Sequence, residues 1–172
     1  NFRALFESIE RYQVKRGVDV IKLTATGGVL SASTAGLAQH FSDQELATII
    51  ATAHALGRKA AAHAHGVDGI NAALRAGVDS IEHGSYLNEE SIKLFKEKGA
   101  YLVPTLLAAR TVSDNARIPG YYLGVVARKA EQVGPRVMEA FRQAHDAGVK
   151  IAFGTDTGVS PHGQNAREFA LM

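Results

Sequence analysis

Four short runs in this sequence each end in a side chain that can bind a metal ion or take part in chemistry. The runs end at Lys22, His63, His83 and Asp156. Imidazole nitrogen and carboxylate oxygen are common zinc ligands. Apolar neighbours predict a nearly dry environment for Lys22, where an ammonium is costly and a neutral amine can attack a carbonyl or add carbon dioxide. The resulting carbamate is an anion whose two oxygens could bridge two cations.

Further polar side chains lie close to these four positions along the chain. His65 follows His63 by two residues, so both share one face if the strand continues. Tyr86, on the loop after the third run, could donate a hydrogen bond to a carbonyl oxygen that becomes an oxyanion. Arg110 could pair with a substrate carboxylate, and His162 borders the loop after the last predicted strand. We therefore regard these residues as candidates for catalysis or substrate binding.

The elements that must position these residues follow a repeated pattern of helix, glycine, short strand and functional side chain. Strands are predicted over residues 18–23, 59–63, 79–83, 101–106 and 150–156. The preceding helical patterns end at Gly17, Gly57, Gly77, Gly99 and Gly148, and Ser42 and Asn88 are predicted to cap two of the helices. Strands that alternate with helices pair in parallel through right-handed crossovers. The carboxyl ends of all five strands are therefore expected at the same edge of one sheet.

The fold class that this pattern predicts is α/β, either a (β/α) barrel or a doubly wound open sheet. The barrel is favoured because chemistry follows several different strands, whereas an open sheet concentrates it at one switch point. An eight-stranded barrel takes about 250 residues, so five strand-helix units take roughly 155. The long loop over residues 24–41 accounts for the surplus. The chain also opens within a helical pattern, from Phe2 onward, which indicates a piece of a longer protein.

Composition bounds the possible partners. Of the 172 residues, 46% are apolar and 21% charged, as in a soluble globular domain. A formal net charge of +2 is too small to favour nucleic acid or a membrane surface as a partner. No apolar run approaches the ~20 residues of a membrane span, and no signal peptide opens the chain. Cysteine is absent, so metal ligands must be nitrogen or oxygen. A homo-oligomer is compatible with all of these features.

Six segments, in this order, resemble the amidohydrolase superfamily. They are Asp19-Val20-Ile21-Lys22, Thr26-Gly27-Gly28-Val29, His63-Ala64-His65-Gly66, Ile81-Glu82-His83-Gly84, Gly154-Thr155-Asp156 and Pro161-His162-Gly163-Gln164-Asn165. The branch they resemble contains imidazolonepropionase-related enzymes often called Xaa-Pro dipeptidases or metal-dependent carboxypeptidases. The resemblance covers nearly the whole chain. It implies that residues 1–172 are the C-terminal portion of a metal-dependent amidohydrolase barrel domain, a partial (β/α)8 TIM barrel with strands four to eight.

The resemblance also implies residue roles and a reaction. Lys22 would be a carboxylated lysine that bridges two divalent metal ions, expected to be zinc, and His63 and His83 would bind one of them. Asp156 would bind the other ion and take the proton from the bridging water. His65 would contact the substrate instead of a metal. The expected reaction is hydrolysis of an amide or peptide bond in a dipeptide, an Xaa-Pro peptide or an N-acyl amino acid.

One feature of the family is missing from this sequence. The family's first strand carries a His-x-His pair that completes the first metal site, and the only such pair here, His63 and His65, corresponds to the fifth strand. We therefore expect the chain by itself to be inactive. Two alternatives stay open: a Schiff-base aldolase with Lys22 as nucleophile, and a non-catalytic fragment or binding module that keeps the barrel scaffold.

Overall fold

The computed structural model describes residues 2–32 and 36–172, so Asn1 and residues 33–35 of the predicted long loop lie outside the described residues. Seven helices and five strands occur in the described part. In chain order they are α1 (Phe2–Lys15), β1 (Val20–Thr24), α2 (Asp43–Ala55), β2 (Lys59–Ala64), α3 (Val67–Arg75), β3 (Ser80–His83), α4 (Glu89–Lys98), β4 (Tyr101–Val103), α5 (Leu106–Ala116), α6 (Gly124–Asp146), β5 (Lys150–Ile151) and α7 (Arg167–Leu171). None of these helices is both long and apolar enough to cross a membrane.

The five strands form one parallel sheet in the order β1-β2-β3-β4-β5. Each strand is added beside the previous one on the same side, whereas a doubly wound sheet reverses direction at a switch point. The strands therefore form an arc of a (β/α) barrel, and the predicted partial barrel is confirmed. The register places Thr24 opposite His63 and Ala64 opposite His83, so the carboxyl ends of β1, β2 and β3 lie side by side.

The two faces of the sheet differ in their surroundings. In β1, Ile21 and Leu23 are buried, whereas Lys22 and Thr24 point to the opposite, exposed face. The dry environment predicted for Lys22 is wrong, because strand alternation separates it from the apolar residues beside it in sequence. Its side chain is 46% exposed and its ammonium lies 3.5 Å from a carboxylate oxygen of Glu82.

Two apolar clusters stabilise the fold. The larger lies between the sheet and helices α1 to α4, and its fully buried large side chains include Leu46, Ile50, Ile70, Leu74, Ile81, Phe95 and Leu102. Each such side chain contributes about 1.5–3 kcal/mol of transfer free energy. The second cluster joins α5 and α6 to Val29 in the loop after β1. Because that loop leaves the carboxyl end of the sheet, the second cluster shapes the edge where the candidate residues lie.

The helix termini follow the predicted signals. Ser42 and Glu45 form a reciprocal capping box at the start of α2, and Asn88 caps α4. Gly17, Gly57 and Gly99, which end helices α1, α2 and α4, all have positive φ angles, which cost glycine little.

The last two strand predictions are corrected. The predicted strand 101–106 ends at Val103, because Pro104 has no N–H for the ladder. Helix α5, which follows, was not predicted, since the short apolar run with which it begins is equally compatible with a strand. The predicted strand 150–156 pairs over only Lys150 and Ile151, because β4, its sole neighbour in the described sheet, is three residues long.

A buried acid in α1 predicts a pH-dependent stability. Glu10 is 4% exposed, and neither carboxylate oxygen has a hydrogen-bond partner in the described part of the chain. Burial, with a smaller contribution from Glu7, raises the pKa of Glu10 from 4.5 to about 7. Because the unfolded chain loses this proton more readily, the carboxyl weakens the fold as pH rises from 4.5 to about 7.

Glu10→Gln should therefore increase the free energy of unfolding at pH 8 by up to about 3 kcal/mol and change it little at pH 4. Urea denaturation of the intact protein at both pH values measures the difference. Glu97→Gln, on the exposed face of α4, is the matched control and should have no such pH dependence. An equal gain at both pH values would show that Glu10 does not titrate in the folded state in this range.

Candidate metal centre

Three histidines converge at the carboxyl ends of β2 and β3. His63 is the second-last residue of β2, His65 follows that strand, and His83 ends β3. Their ring centroids are 4.6 to 4.8 Å apart. One nitrogen from each ring lies within 4.8 Å of the other two, so the three can approach one cation. The sequence placed His63 and His83 together, and the structure adds His65 to the same cluster.

Each ring is oriented by a hydrogen bond to a neighbouring loop or helix terminus. Nδ1 of His83 lies 2.7 Å from the Thr105 hydroxyl, and Nδ1 of His65 lies 2.6 Å from the Ser85 hydroxyl. The ring of His63 donates to the carbonyl of Gly27. Such partners fix the ring orientation of metal-binding histidines. In His65 and His83 they leave Nε2 as the nitrogen that faces a ligand.

Burial keeps these imidazoles neutral. Burial, with smaller contributions from His63 and Lys22, lowers the pKa of His83 to about 3. Burial, with smaller contributions from His83, His63 and Lys129, lowers the pKa of His65 well below its usual range. Burial also lowers the pKa of His63, an effect that the Gly27 carbonyl opposes and the positive charge of Lys22 reinforces. Neutral imidazole is the form that binds a metal ion. At neutral pH the three nitrogens are therefore available as ligands without loss of a proton.

Backbone strain is concentrated at the same edge. Within residues 2–32 and 36–172, the non-glycine residues with positive φ are His83 (72°), Thr105 (50°) and Asp156 (51°). They follow or end β3, β4 and β5, respectively. Conformations of this kind cost on the order of 1–3 kcal/mol each and persist where the surrounding structure enforces them. Their coincidence with the histidine cluster points to a functional site.

A cavity of about 260 Å³ opens beside the histidines and is lined by all three, together with Asp156. Its remaining wall is mostly apolar and comes from the loop after β1, from α5, from α6 and from the loop after β5. The apolar lining residues include Val29, Leu30, Ala108, Val112, Val133, Val137 and Val159. The cavity therefore combines metal-binding side chains at one end with an apolar compartment at the other.

Asp156 and Lys22 approach this cluster from the two sides of the arc. Asp156 is exposed at the cavity, and its negative charge raises the pKa of His63. Lys22 lies on the inner face of β1, close enough for its charge to lower the pKa of His63 and of His83. The four residues that the sequence singled out thus occupy one region of the structure.

Three other candidates lie elsewhere. Tyr86 packs in the second apolar cluster and lines a separate groove with Arg136 and Glu139. Arg110 is an exposed residue of α5, and its Nε lies 3.8 Å from a carboxylate oxygen of Asp114 one turn along that helix. His162 is exposed on the loop after β5. None of Tyr86, Arg110 and His162 is among the residues that line the histidine cavity, and their predicted roles stay predictions.

Sequence reasoning missed several residues that organise the site. Ser85 and Thr105 orient two of the histidines, and Glu82 pairs with Lys22. Glu82 and Ser85 both lie within two residues of His83, so proximity in sequence was the available signal. Thr105 had none, since its contact depends on how β3 and β4 pair.

The donor set fits a divalent metal ion. Neutral imidazoles and a carboxylate match the ligand preferences of zinc. Lys22 in its ammonium form, paired with Glu82, would repel a cation, whereas its carbamate would attract one. The residues present are therefore consistent with a metal centre of nitrogen and oxygen ligands.

Comparison with known proteins decides the family. A model of the amidohydrolase family matches residues 7–172, nearly the whole chain. The chain belongs to the amidohydrolase family. A solved Xaa-Pro dipeptidase with methionine bound in its active site is 42% identical to this amidohydrolase chain, with a TM-score of 0.95 over 99% of it and 42% of the dipeptidase.

A second relative is the ochratoxinase of Aspergillus niger. It is 38% identical over 162 residues, which are 92% of this amidohydrolase chain and 32% of the ochratoxinase. Its crystal structure superposes with a TM-score of 0.83. The chain thus spans about a third of the length of this curated relative, and the family predicted from the six sequence segments is confirmed.

Lys129 of α6 holds the wall of the amidohydrolase cavity in place. It is 7% exposed, and its ammonium donates to the carbonyl oxygens of Gly28 (2.8 Å) and Ser31 (2.7 Å) and to the Ser31 hydroxyl (3.3 Å). Gly28 and Ser31 both line the cavity. Three hydrogen bonds therefore tie the loop after β1 to α6.

Lys129→Met should release this loop while it keeps most of the buried side-chain volume. Loss of charge-assisted hydrogen bonds, at about 1.5–3 kcal/mol each, should speed amide hydrogen exchange at residues 28–31 at least tenfold. Mass spectrometry of the intact protein measures the exchange. Lys93→Met, on the exposed face of α4, is the control and should have no effect there. Unchanged amide exchange in the Lys129 variant would show that Lys129 does not hold the loop after β1 in place.

Proposed function

We propose that the protein containing this chain is a metal-dependent hydrolase that cleaves an amide or peptide bond in a small molecule at a centre of two divalent ions. The observation that carries the proposal is the convergence of three neutral histidines, His65 buried and His63 and His83 partly buried, with Asp156 on one cavity. Membership of the amidohydrolase family supports the same reaction class.

The residues that would hold the ions are His63, His83, Asp156 and Lys22, the last as a carbamate formed with carbon dioxide. Bound zinc ions would supply Lewis acidity, which polarises a carbonyl and makes a water more acidic. The carbamate would also free Glu82 from its ion pair with the Lys22 ammonium. We further propose that this chain alone is inactive, because ligands from strands that it does not contain would be needed to complete the first metal site.

The chain's own side chains would handle the proton and the substrate. Asp156, exposed at the cavity, would accept a proton from the attacking water and deliver it to the leaving amine. Thr155, Thr157 and Asn165 support the loop that carries it, with the two threonine hydroxyls 2.7 Å apart and the Asn165 amide 3.3 Å from Thr155. His65, held by Ser85, would contact the substrate from the buried side of the cavity.

The apolar wall supports a substrate class. A side chain that enters the compartment between α5 and α6 meets mainly aliphatic carbon, so an apolar residue would gain most by binding there. The methionine in the active site of the related dipeptidase fits the same chemistry. We therefore propose a dipeptide, an Xaa-Pro peptide or an N-acyl amino acid with an apolar side chain as the substrate.

The two alternatives have less support. A Schiff-base site needs a Lys22 nitrogen that is free to attack a carbonyl, but this nitrogen is paired with Glu82 at 3.5 Å. Borohydride trapping with a carbonyl substrate would have to label Lys22 for the aldolase alternative. A non-catalytic scaffold would have no need of three oriented, neutral histidines. Zinc content well under one equivalent in the reconstituted intact protein would favour that alternative and end the metalloenzyme proposal.

Lys22→Ala should reduce the zinc content of the reconstituted intact protein from two equivalents to one or fewer, because the bridging anion is lost. Elemental analysis after gel filtration measures the content. Lys59→Ala is the matched control, since Lys59 lies at the amino end of β2, at the other end of the strands from the histidines, and pairs with Asp79. Unchanged zinc content in the Lys22 variant would rule out the bridging role.

Ala108→Phe should narrow the apolar compartment, because Ala108 lines it from α5. We expect KM for substrates with a large apolar side chain to rise at least tenfold and that for glycine-containing substrates to change less. Steady-state kinetics with a matched substrate series measures the ratio. Ala51→Phe, on the exposed face of α2, controls for the added ring. An equal loss for all substrates would place the substrate side chain elsewhere.

A further inference from the structure

Glu168 is distant from α5 in sequence, but its carboxylate lies fully buried at the start of that helix. Its two oxygens accept the backbone N–H groups of Leu106 and Leu107, each at 2.7 Å. The first N–H groups of a helix have no partner within the helix and need one from elsewhere. Thr105, the residue at the N-cap of α5, makes no side-chain bond to them. Glu168 therefore takes the place of the missing cap.

The side chain of Thr105 is engaged with the metal centre instead. Its hydroxyl lies 2.7 Å from Nδ1 of His83. To reach it, Thr105 adopts a left-handed conformation (φ 50°, ψ 47°), which is unfavourable for a β-branched residue. Such a conformation persists only when neighbouring contacts enforce it. The contacts nearest to Thr105 in the chain are the hydrogen bonds that the next two N–H groups donate to Glu168.

We propose that Glu168 is a positioning residue for His83, which acts by capping α5 and so holding Thr105 where it fixes the imidazole. His83 itself has a positive φ of 72° and lies 4.8 Å from the ring of His65, nearly parallel to it. With its backbone strained, the direction of Nε2 depends on the hydrogen bond at Nδ1. Displacement of Thr105 would turn that nitrogen away from the cavity.

The residues just before Glu168 also support the opposite side of the site. Asn165, three residues before Glu168, donates to the hydroxyl of Thr155, next to Asp156. Residues 165–168 thus contact the supports of both His83 and Asp156. This arrangement is expected of a segment that holds two parts of a site in fixed relative positions, and it is more than is needed to attach α7. We call residues 165–168 the brace.

The orientation of His83 can be measured without metal or substrate. Long-range 15N–1H correlation spectra of the metal-free intact protein report the tautomer of each imidazole. The wild type should have one fixed tautomer at His83. Glu168→Gln, which replaces an acceptor by an amide donor facing an N–H group, should give a mixture of tautomers there. Thr105→Val should give the same mixture while Glu168 is intact, and Thr105→Ser, which keeps the hydroxyl, should restore the wild-type signal.

Glu131→Gln, on the exposed face of α6, is the control and should leave His83 unchanged. Two results would overturn the proposal: a wild-type His83 signal in Glu168→Gln when Thr105→Val changes it, or equal changes at His63, His65 and His83, which would indicate general loosening. If Glu168→Gln does not fold, Glu168→Asp, which keeps the charge but shortens the reach, is judged by the same criteria.

A second measurement connects this brace to the metal centre, and only this part rests on the proposed function. In the cobalt-substituted intact protein, Glu168→Gln should shift the visible absorption bands and weaken cobalt binding at least tenfold. A wild-type protein that binds no cobalt would refute the proposed function, while the tautomer of His83 would still decide the role of Glu168. Wild-type bands and affinity in Glu168→Gln would show that the brace does not act on the metal.

Discussion

Parallel pairing of β2 with β3, in the register that sets Ala64 opposite His83, is the constraint on which the site depends. A shift of one residue would turn every side chain of a strand to the other face of the sheet. In the observed register the ends of the two strands bring the centroids of three imidazole rings to 4.6 to 4.8 Å from one another. The buried alanines of β2 and Ile81 of β3 enforce it, because only this alternation keeps them against the helices.

Burial has two consequences at this edge of the sheet. It keeps the histidines neutral, so that they can bind a cation, and it makes their polar atoms costly unless each has a partner. Ser85, Thr105 and Gly27 supply those partners and at the same time set the ring orientations. Strained backbone at His83 and Thr105 is the structural cost of the arrangement, and the capping of α5 by Glu168 offsets it.

The concave face of the sheet is only partly covered by the described chain. In a complete barrel this face is filled by layers of side chains from all eight strands. Here Val20 and Tyr101 are each 45% exposed, and Lys22 on the same face has Glu82 as its counter-charge. Catalysis is therefore a property that we assign to the whole protein, since the chain spans 32% of the ochratoxinase and 42% of the dipeptidase.

The sequence by itself determined the presence of the five strands, the ends of the first three, most helix termini and the family, because periodicity, capping residues and glycines act over a few neighbouring residues. It also brought Lys22, His63, His83 and Asp156 to one edge, since parallel strands share a direction. Only the tertiary structure decided that Lys22 is exposed beside Glu82, that residues 106–116 form a helix, and that Glu168 supports Thr105. Those outcomes depend on which face a strand presents and on contacts between residues up to 62 positions apart, which no local pattern encodes.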